Sequence, residues 1–154
     1  MARKNRNMSF EVDSDLSARL GGFAKNTYTV LKATLYPAAG LLADEIRKNL
    51  ASQQDERFYK SLVDSITIVG MKQDGGRVST AVVFVGYDKN VKTKKYSSGV
   101  PNALWAAILE SGTSKRPKEP FIRPAVNAVR ERAEAAMKEE FQNQINNIME
   151  GGKA

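Results

Sequence analysis

Histidine and cysteine, the side chains that most often carry chemistry in proteins, are absent from this sequence. Their absence removes thiol nucleophiles, imidazole general bases, the Ser-His-Asp triad, disulfides and Cys-rich zinc sites. Carboxylate pairs and Ser-Lys dyads need neither residue, but no motif in the sequence supports one. Gly112-Thr113-Ser114-Lys115 has the ingredients of a phosphate loop. It lacks the Gly-x-x-x-x-Gly-Lys-Ser/Thr order, and no strand precedes it. Asp13-Ser14-Asp15 opens like a calcium loop, yet the glycine at the sixth position and the closing glutamate are missing, which leaves helix capping as its reading. The expectation is a protein that is not an enzyme and that holds no cofactor and no metal.

Charge is the next source of chemistry. The net charge of +7 favours anionic partners: nucleic acid, acidic protein faces or anionic lipid. The excess falls on segments that read as loops. Arg3, Lys4 and Arg6 precede the first apolar pattern, Lys89, Lys92, Lys94 and Lys95 share one loop, and Lys115, Arg116 and Lys118 share another. Flanked by Tyr87 and Tyr96, the loop with Lys92, Lys94 and Lys95 is a candidate for contact with a phosphate backbone; a solvated loop is the plainer reading. No helix concentrates a basic face: Glu131, Glu134, Glu139 and Glu140 stand beside Arg130, Arg132 and Lys138 in the last one.

These residues need elements to position them. A chain of 154 residues fits one domain that hides roughly two thirds of its unfolded surface. Residues 1–8 read as a flexible basic arm, 9–150 as a single domain and 151–154 as a flexible tail. Basic residues near the start are followed by no apolar stretch, so no secretion signal is expected and the chain should stay in the cytosol where it is made. No apolar run approaches the roughly 18 residues that cross a bilayer, and no membrane partner is expected.

Ser9-Phe10-Glu11-Val12 alternates like a short edge strand. A brief helix carrying Leu16 and Leu20 would follow, ended by Gly21-Gly22. Leu31, Leu35, Ala38, Leu42, Ile46 and Leu50 recur at three- and four-residue steps and predict an amphipathic helix from about Thr27 to Leu50. Pro37 should kink it or split it near Tyr36. Residues 52–57 read as a polar loop. Segments 65–72 and 77–86 are rich in Val, Ile and Thr and predict two strands, joined through Gln73-Asp74-Gly75-Gly76. Residues 87–101 read as a long flexible loop, and 102–111 as an apolar helix closed by Gly112. Pro124 suits the first turn of a last helix, whose stripe runs through Val126, Val129, Ala133, Met137, Phe141, Ile145 and Ile148. The sum is an α+β fold: a small antiparallel sheet, made of the hairpin 65–86 plus the N-terminal strand, packed by two long amphipathic helices.

One stretch is distinctive. It runs Leu104-Trp105-Ala106-Ala107-Ile108-Leu109-Glu110-Ser111-Gly112-Thr113-Ser114-Lys115-Arg116-Pro117-Lys118-Glu119-Pro120-Phe121-Ile122-Arg123-Pro124-Ala125. Gly112 can take the left-handed backbone that ends a helix, Thr113 and Ser114 can satisfy the groups it frees, and Pro117 and Pro120 hold the connection extended. Phe121 should anchor its far end in the core, with Lys115, Arg116 and Lys118 presented outward. Trp105 reads as core, with an interface anchor as the alternative.

This stretch resembles the signature of a family of neck and tail-completion proteins of long-tailed bacteriophages. That family shows an aromatic-containing helix ending in Glu-x-Gly-Thr-Ser, a proline-spaced basic loop, and Pro-Phe-(Leu/Ile)-Arg-Pro-Ala opening the last helix. The order of elements after Met8 agrees as well. The resemblance implies a structural subunit, assembled in the host cytoplasm into the virion at the head-tail junction. It also implies a homo-oligomeric ring, hexameric or dodecameric, between the connector and tail-tube proteins, with non-specific contact to DNA in the channel. Lys115, Arg116, Pro117 and Lys118 would then pack against neighbouring subunits, while Gly112, Pro120, Phe121 and Pro124 shape the loop. Two alternatives stand beside this: a tail terminator that caps the tube, and a basic DNA-binding protein.

Overall fold

The computed structural model describes residues 14–52, 56–74 and 77–150. The expected basic arm, the strand at 9–12, the turn glycines 75 and 76 and the tail at 151–154 lie outside them. The order is α1 (Ser14–Ala51), α2 (Glu56–Ser65), β1 (Ile66–Asp74), β2 (Arg77–Phe84), β3 (Tyr87–Asp88), β4 (Val100–Pro101), α3 (Asn102–Ser111) and α4 (Ile122–Met149). The fold is α+β, with two long helices and small antiparallel sheets.

α1 is one helix of 38 residues, so neither Gly21-Gly22 nor Pro37 divides it. Two interior glycines cost about 1 kcal/mol each, a penalty that a long helix can absorb. Pro37 lies on the exposed side, where water can reach the carbonyl its ring leaves without a donor. The buried face is centred on Val30, Thr34, Ala39, Ala43, Ile46 and Leu50. It is thus rotated slightly from the expected leucine stripe. The small residues at its middle let α4 approach, with Ala125 and Val129 as the buried positions on that helix. Thr34 hides its hydroxyl by donating to the Val30 carbonyl at 2.8 Å. The two helices run antiparallel. Asn49 Nδ2 donates to the Phe121 carbonyl at 3.0 Å, and Arg132 meets Glu45 at 3.7 Å one step further along.

α2 stands where a polar loop and an unassigned stretch were expected. Tyr59 and Leu62 are three apart on one face and buried in the main core, with Val63 packed beside them and Ile66, which opens β1, buried next to them. β1 and β2 form the expected hairpin, paired Ile66 to Phe84 through Val69 to Ala81, then Lys72 to Ser79 through Asp74 to Arg77. The register shift between Val69 and Lys72 leaves one extra residue on β1, a bulge opposite Thr80. Ile68, Val82 and Phe84 turn toward the core, and Arg47 Nη2 donates to the Ile66 carbonyl at 3.0 Å to pin the hairpin to α1.

Residues 87–101 are more organised than a flexible loop. β3 pairs with β4, Tyr87 opposite Pro101 and Asp88 opposite Val100, and closes the base. Asp88 is buried, and its Oδ1 accepts from the Asn90 amide at 2.8 Å. Val91 and Tyr96 pack on the core. Gly99 has φ +125, and a Cβ there would come within 2.7 Å of the Asp88 carbonyl. Backbone approach of this kind accepts only glycine.

Candidate functional site

The corner from α3 to the start of α4 carries the distinctive stretch. Its base is Asn102. This buried side chain donates to the Val85 carbonyl at 2.8 Å, and its amide donates to the Gly86 carbonyl at 3.0 Å. Ser61 of α2 lies 3.3 Å from its Oδ1, so one residue ties the end of the hairpin, α2 and α3 together. Along α3, Trp105, Ala106 and Leu109 are buried.

Gly112 ends α3 at φ +73 while its amide donates to the Ile108 carbonyl at 2.8 Å. A Cβ there would meet the Lys118 amide nitrogen at 2.8 Å. Both the backbone angle and the returning chain therefore require glycine. Residues 113–116 make a tight turn: the Thr113 amide donates to the Arg116 carbonyl at 2.8 Å, and Thr113 Oγ1 accepts from the Arg116 amide at 3.1 Å. The loop then returns along α3, with the Glu119 amide donating to the Leu109 carbonyl at 2.8 Å.

Glu110 has a part that the sequence reading did not assign. Its Oε2 accepts from the amides of Phe121 and Ile122, both at 2.8 Å, and its Oε1 from that of Arg123 at 3.0 Å. The N-cap residue itself, Phe121, offers no side-chain cap. A carboxylate from α3 thus satisfies the free donors at the start of α4 and sits at the positive end of its dipole. Burial pushes the Glu110 carboxyl up, but the three amides and the nearby Arg123 outweigh it and hold the group below its ordinary range.

Arg116 departs from its expected outward pose. Its guanidinium lies over the Trp105 ring, 5.0 Å from the centroid, and its Nη2 donates to Glu119 Oε1 at 3.1 Å. Glu119 Oε2 accepts from the Tyr59 hydroxyl of α2. Donation from Tyr59, with Arg116 close by, lowers the Glu119 carboxyl against the opposing effect of burial. The Tyr59 hydroxyl is raised by burial and by the carboxylate it donates to. Arg116 turns inward because a planar cation can stack on indole and pair with a carboxylate at once, which water at the rim cannot match.

Lys115, Pro117, Lys118 and Pro120 are exposed on the outer rim of the corner. Phe121 is 1% exposed and meets Phe84 edge-on, with centroids 5.9 Å apart, so the loop's far end is fixed to the hairpin. Pro124 is in the first turn of α4. Lys92, Lys94 and Lys95 are exposed on the separate 87–101 loop, with Lys95 Nζ 5.5 Å from the Tyr96 ring. Helix-to-loop carboxylate pairing left one legible trace: Arg116 and Glu119 are three apart, the spacing of a local ion pair.

Glu110, Arg116 and Glu119 hold the corner from within while Lys115 and Lys118 stay on its rim, which equips it for presentation of a rigid surface. Among the described residues no group of three or more acidic side chains gathers as a metal site, and no helix is long and apolar enough to cross a membrane. Fold and corner together define an α+β protein with a preorganised, proline-stiffened basic rim. No family model, curated protein or solved structure matches the chain.

Proposed function

We propose that this chain is a structural virion-assembly protein and not an enzyme: a neck or tail-completion subunit that joins a phage head connector to the tail tube as a homo-oligomeric ring. The observation that carries the reading is the corner at 110–125. Glu110, Arg116, Glu119 and Tyr59 hold it in one geometry while Lys115, Pro117 and Lys118 stay exposed. A loop preorganised in this way loses little conformational entropy when a partner docks. Similarity of residues 104–125 to the phage signature supplies the identity of that partner: neighbouring subunits, the connector and the tail tube. Exposed Lys92, Lys94 and Lys95 suit an acidic tail surface or DNA in the channel equally.

A head-tail joining assay tests the reading. The paired variant Lys115→Ser with Lys118→Ser should fold as the parent does and fail to complete virions. Joining at the parental rate would remove the rim from the function. Tail termination is the neighbouring alternative, distinguished by overlong tails in the absence of the protein. A free DNA-binding role is favoured only by the +7 charge, and would show as duplex binding that falls steeply with salt.

A further inference from the structure

An open groove of about 490 Å³ runs beside β2. Leu35 and Leu42 of α1 line it, as do Ala81 and Val82 of β2 and Val126 and Met137 of α4; among the described residues, Arg130 and Glu134 are the only charged ones along it. These leucines belong to the stripe that the sequence marks as core, yet they remain only half-buried.

β2 pairs with β1 on one side and with no strand on the other among the described residues. About half of its backbone donors and acceptors therefore point away from β1, toward the groove side. Natural edge strands are usually blunted by lysine, proline or inward charge, and β2 has none of these from Val78 to Phe84. An apolar trough beside an open strand edge is the receiving half of a β-augmentation site. The edge supplies main-chain hydrogen bonds, and the trough takes alternate side chains.

The sequence holds a matching donor. In Ser9-Phe10-Glu11-Val12, Phe10 and Val12 are two apart and would share one face of a strand. Their own groove is out of reach. α1 starts at Ser14, and Leu35 lies about 32 Å further along at 1.5 Å per residue. Residues 9–12 precede Ser14 by at most five positions, about 18 Å of fully extended chain.

We propose that residues 9–12 of one copy add as a third strand to the open edge of β2 in a second copy, with Phe10 and Val12 seated in the groove. The inference rests on the self-assembly in the function proposed above and names the contact that builds it. Donor and acceptor are different surfaces, so the contact is heterologous and can repeat from subunit to subunit around a closed ring.

Because the chain has no cysteine, engineered thiols report on this contact without background. Full-length protein carrying both Phe10→Cys and Ala133→Cys is oxidised gently, alone and with tail tubes, and run on a denaturing gel. A ladder of covalent multimers is expected, ending at the ring's copy number. Mixing the two single variants should give the heterodimer, whereas each single variant alone should stay uncrosslinked. In parallel, Phe10→Asp should lower the assembled fraction at least tenfold with an unchanged melting temperature. An uncrosslinked double variant that still forms rings overturns the contact and leaves the ring intact. A monomer with both thiols consumed shows that the segment folds onto its own chain and also overturns it. Crosslinks that stop at a dimer keep the strand exchange and contradict the ring. A parent that is monomeric under every condition overturns both.

Discussion

The corner at 110–125 and the groove beside β2 treat their polar and apolar groups in opposite ways. In the corner, the amides that open α4, the Arg116 guanidinium and the Glu119 carboxylate all find partners within the chain. What it leaves to solvent is charge and proline. Along the groove, Leu35, Leu42, Val82, Val126 and Ala133 stay half-covered, and among the described residues β2 has no strand on its second edge. A finished surface can only be recognised by complementarity, whereas an unfinished one gains stability from whatever covers it. In the proposed assembly, the corner presents and the groove receives.

Substitutions within the corner should separate its internal fastening from its presented rim. Phe121→Ala should have the largest effect. It removes a fully buried ring that joins the loop to Phe84, and chemical denaturation should show a loss of about 3 to 5 kcal/mol. Next comes Glu110→Ala, which strips three amides of a charged acceptor at once. About 2 to 3 kcal/mol is expected from the loss of charge-assisted bonds and the cap, and amide exchange at Phe121, Ile122 and Arg123 should speed up selectively.

The same carboxylates give the fold an acid sensitivity whose sign follows from their lowered values. Glu110 and Glu119 both titrate below the ordinary glutamate range in the folded chain. Their contribution is therefore complete above that ordinary range and is lost as pH falls through the lowered folded values. Stability measured from pH 6 down to pH 3 should decline in the parent. The slope should be shallower in Glu110→Gln, which no longer titrates at that site.

Arg116→Ser should cost about 1 to 2 kcal/mol, through its lost stacking on Trp105 and its pairing with Glu119. Lys115→Ser with Lys118→Ser should cost about 0.5 kcal/mol or less for each change, since exposed charges rarely do more. An equal loss of stability from the arginine and lysine changes would erase the distinction between fastening and rim.

How much of this could be read from sequence depended on how local the deciding interactions are. The hairpin, α3 and its glycine stop rest on neighbours within a few residues, and the strand pattern and Gly112 display them directly. Glu110 caps a helix that begins twelve residues later, after the loop has doubled back. A Glu before a helix-ending glycine carries no mark of that destination. Arg116 sat in a run of charges, and the buried Trp105 beside it together with Glu119 explains its inward turn. α2 was hidden because its buried apolar positions, Tyr59 and Leu62, span a single turn and follow a polar stretch. At Gly21-Gly22 and Pro37 the usual breakers signal an end, but a breaker sets a cost and the rest of the helix decides whether it is borne.

The proposed self-assembling structural ring is tested most directly by the stoichiometry of the chain. Native mass measurement of the purified full chain, alone and mixed with tail tubes, should show one closed oligomer of fixed copy number that binds tube ends. A species that remains monomeric or dimeric with tubes present, and that instead binds random duplex DNA with a steep salt dependence, would contradict it.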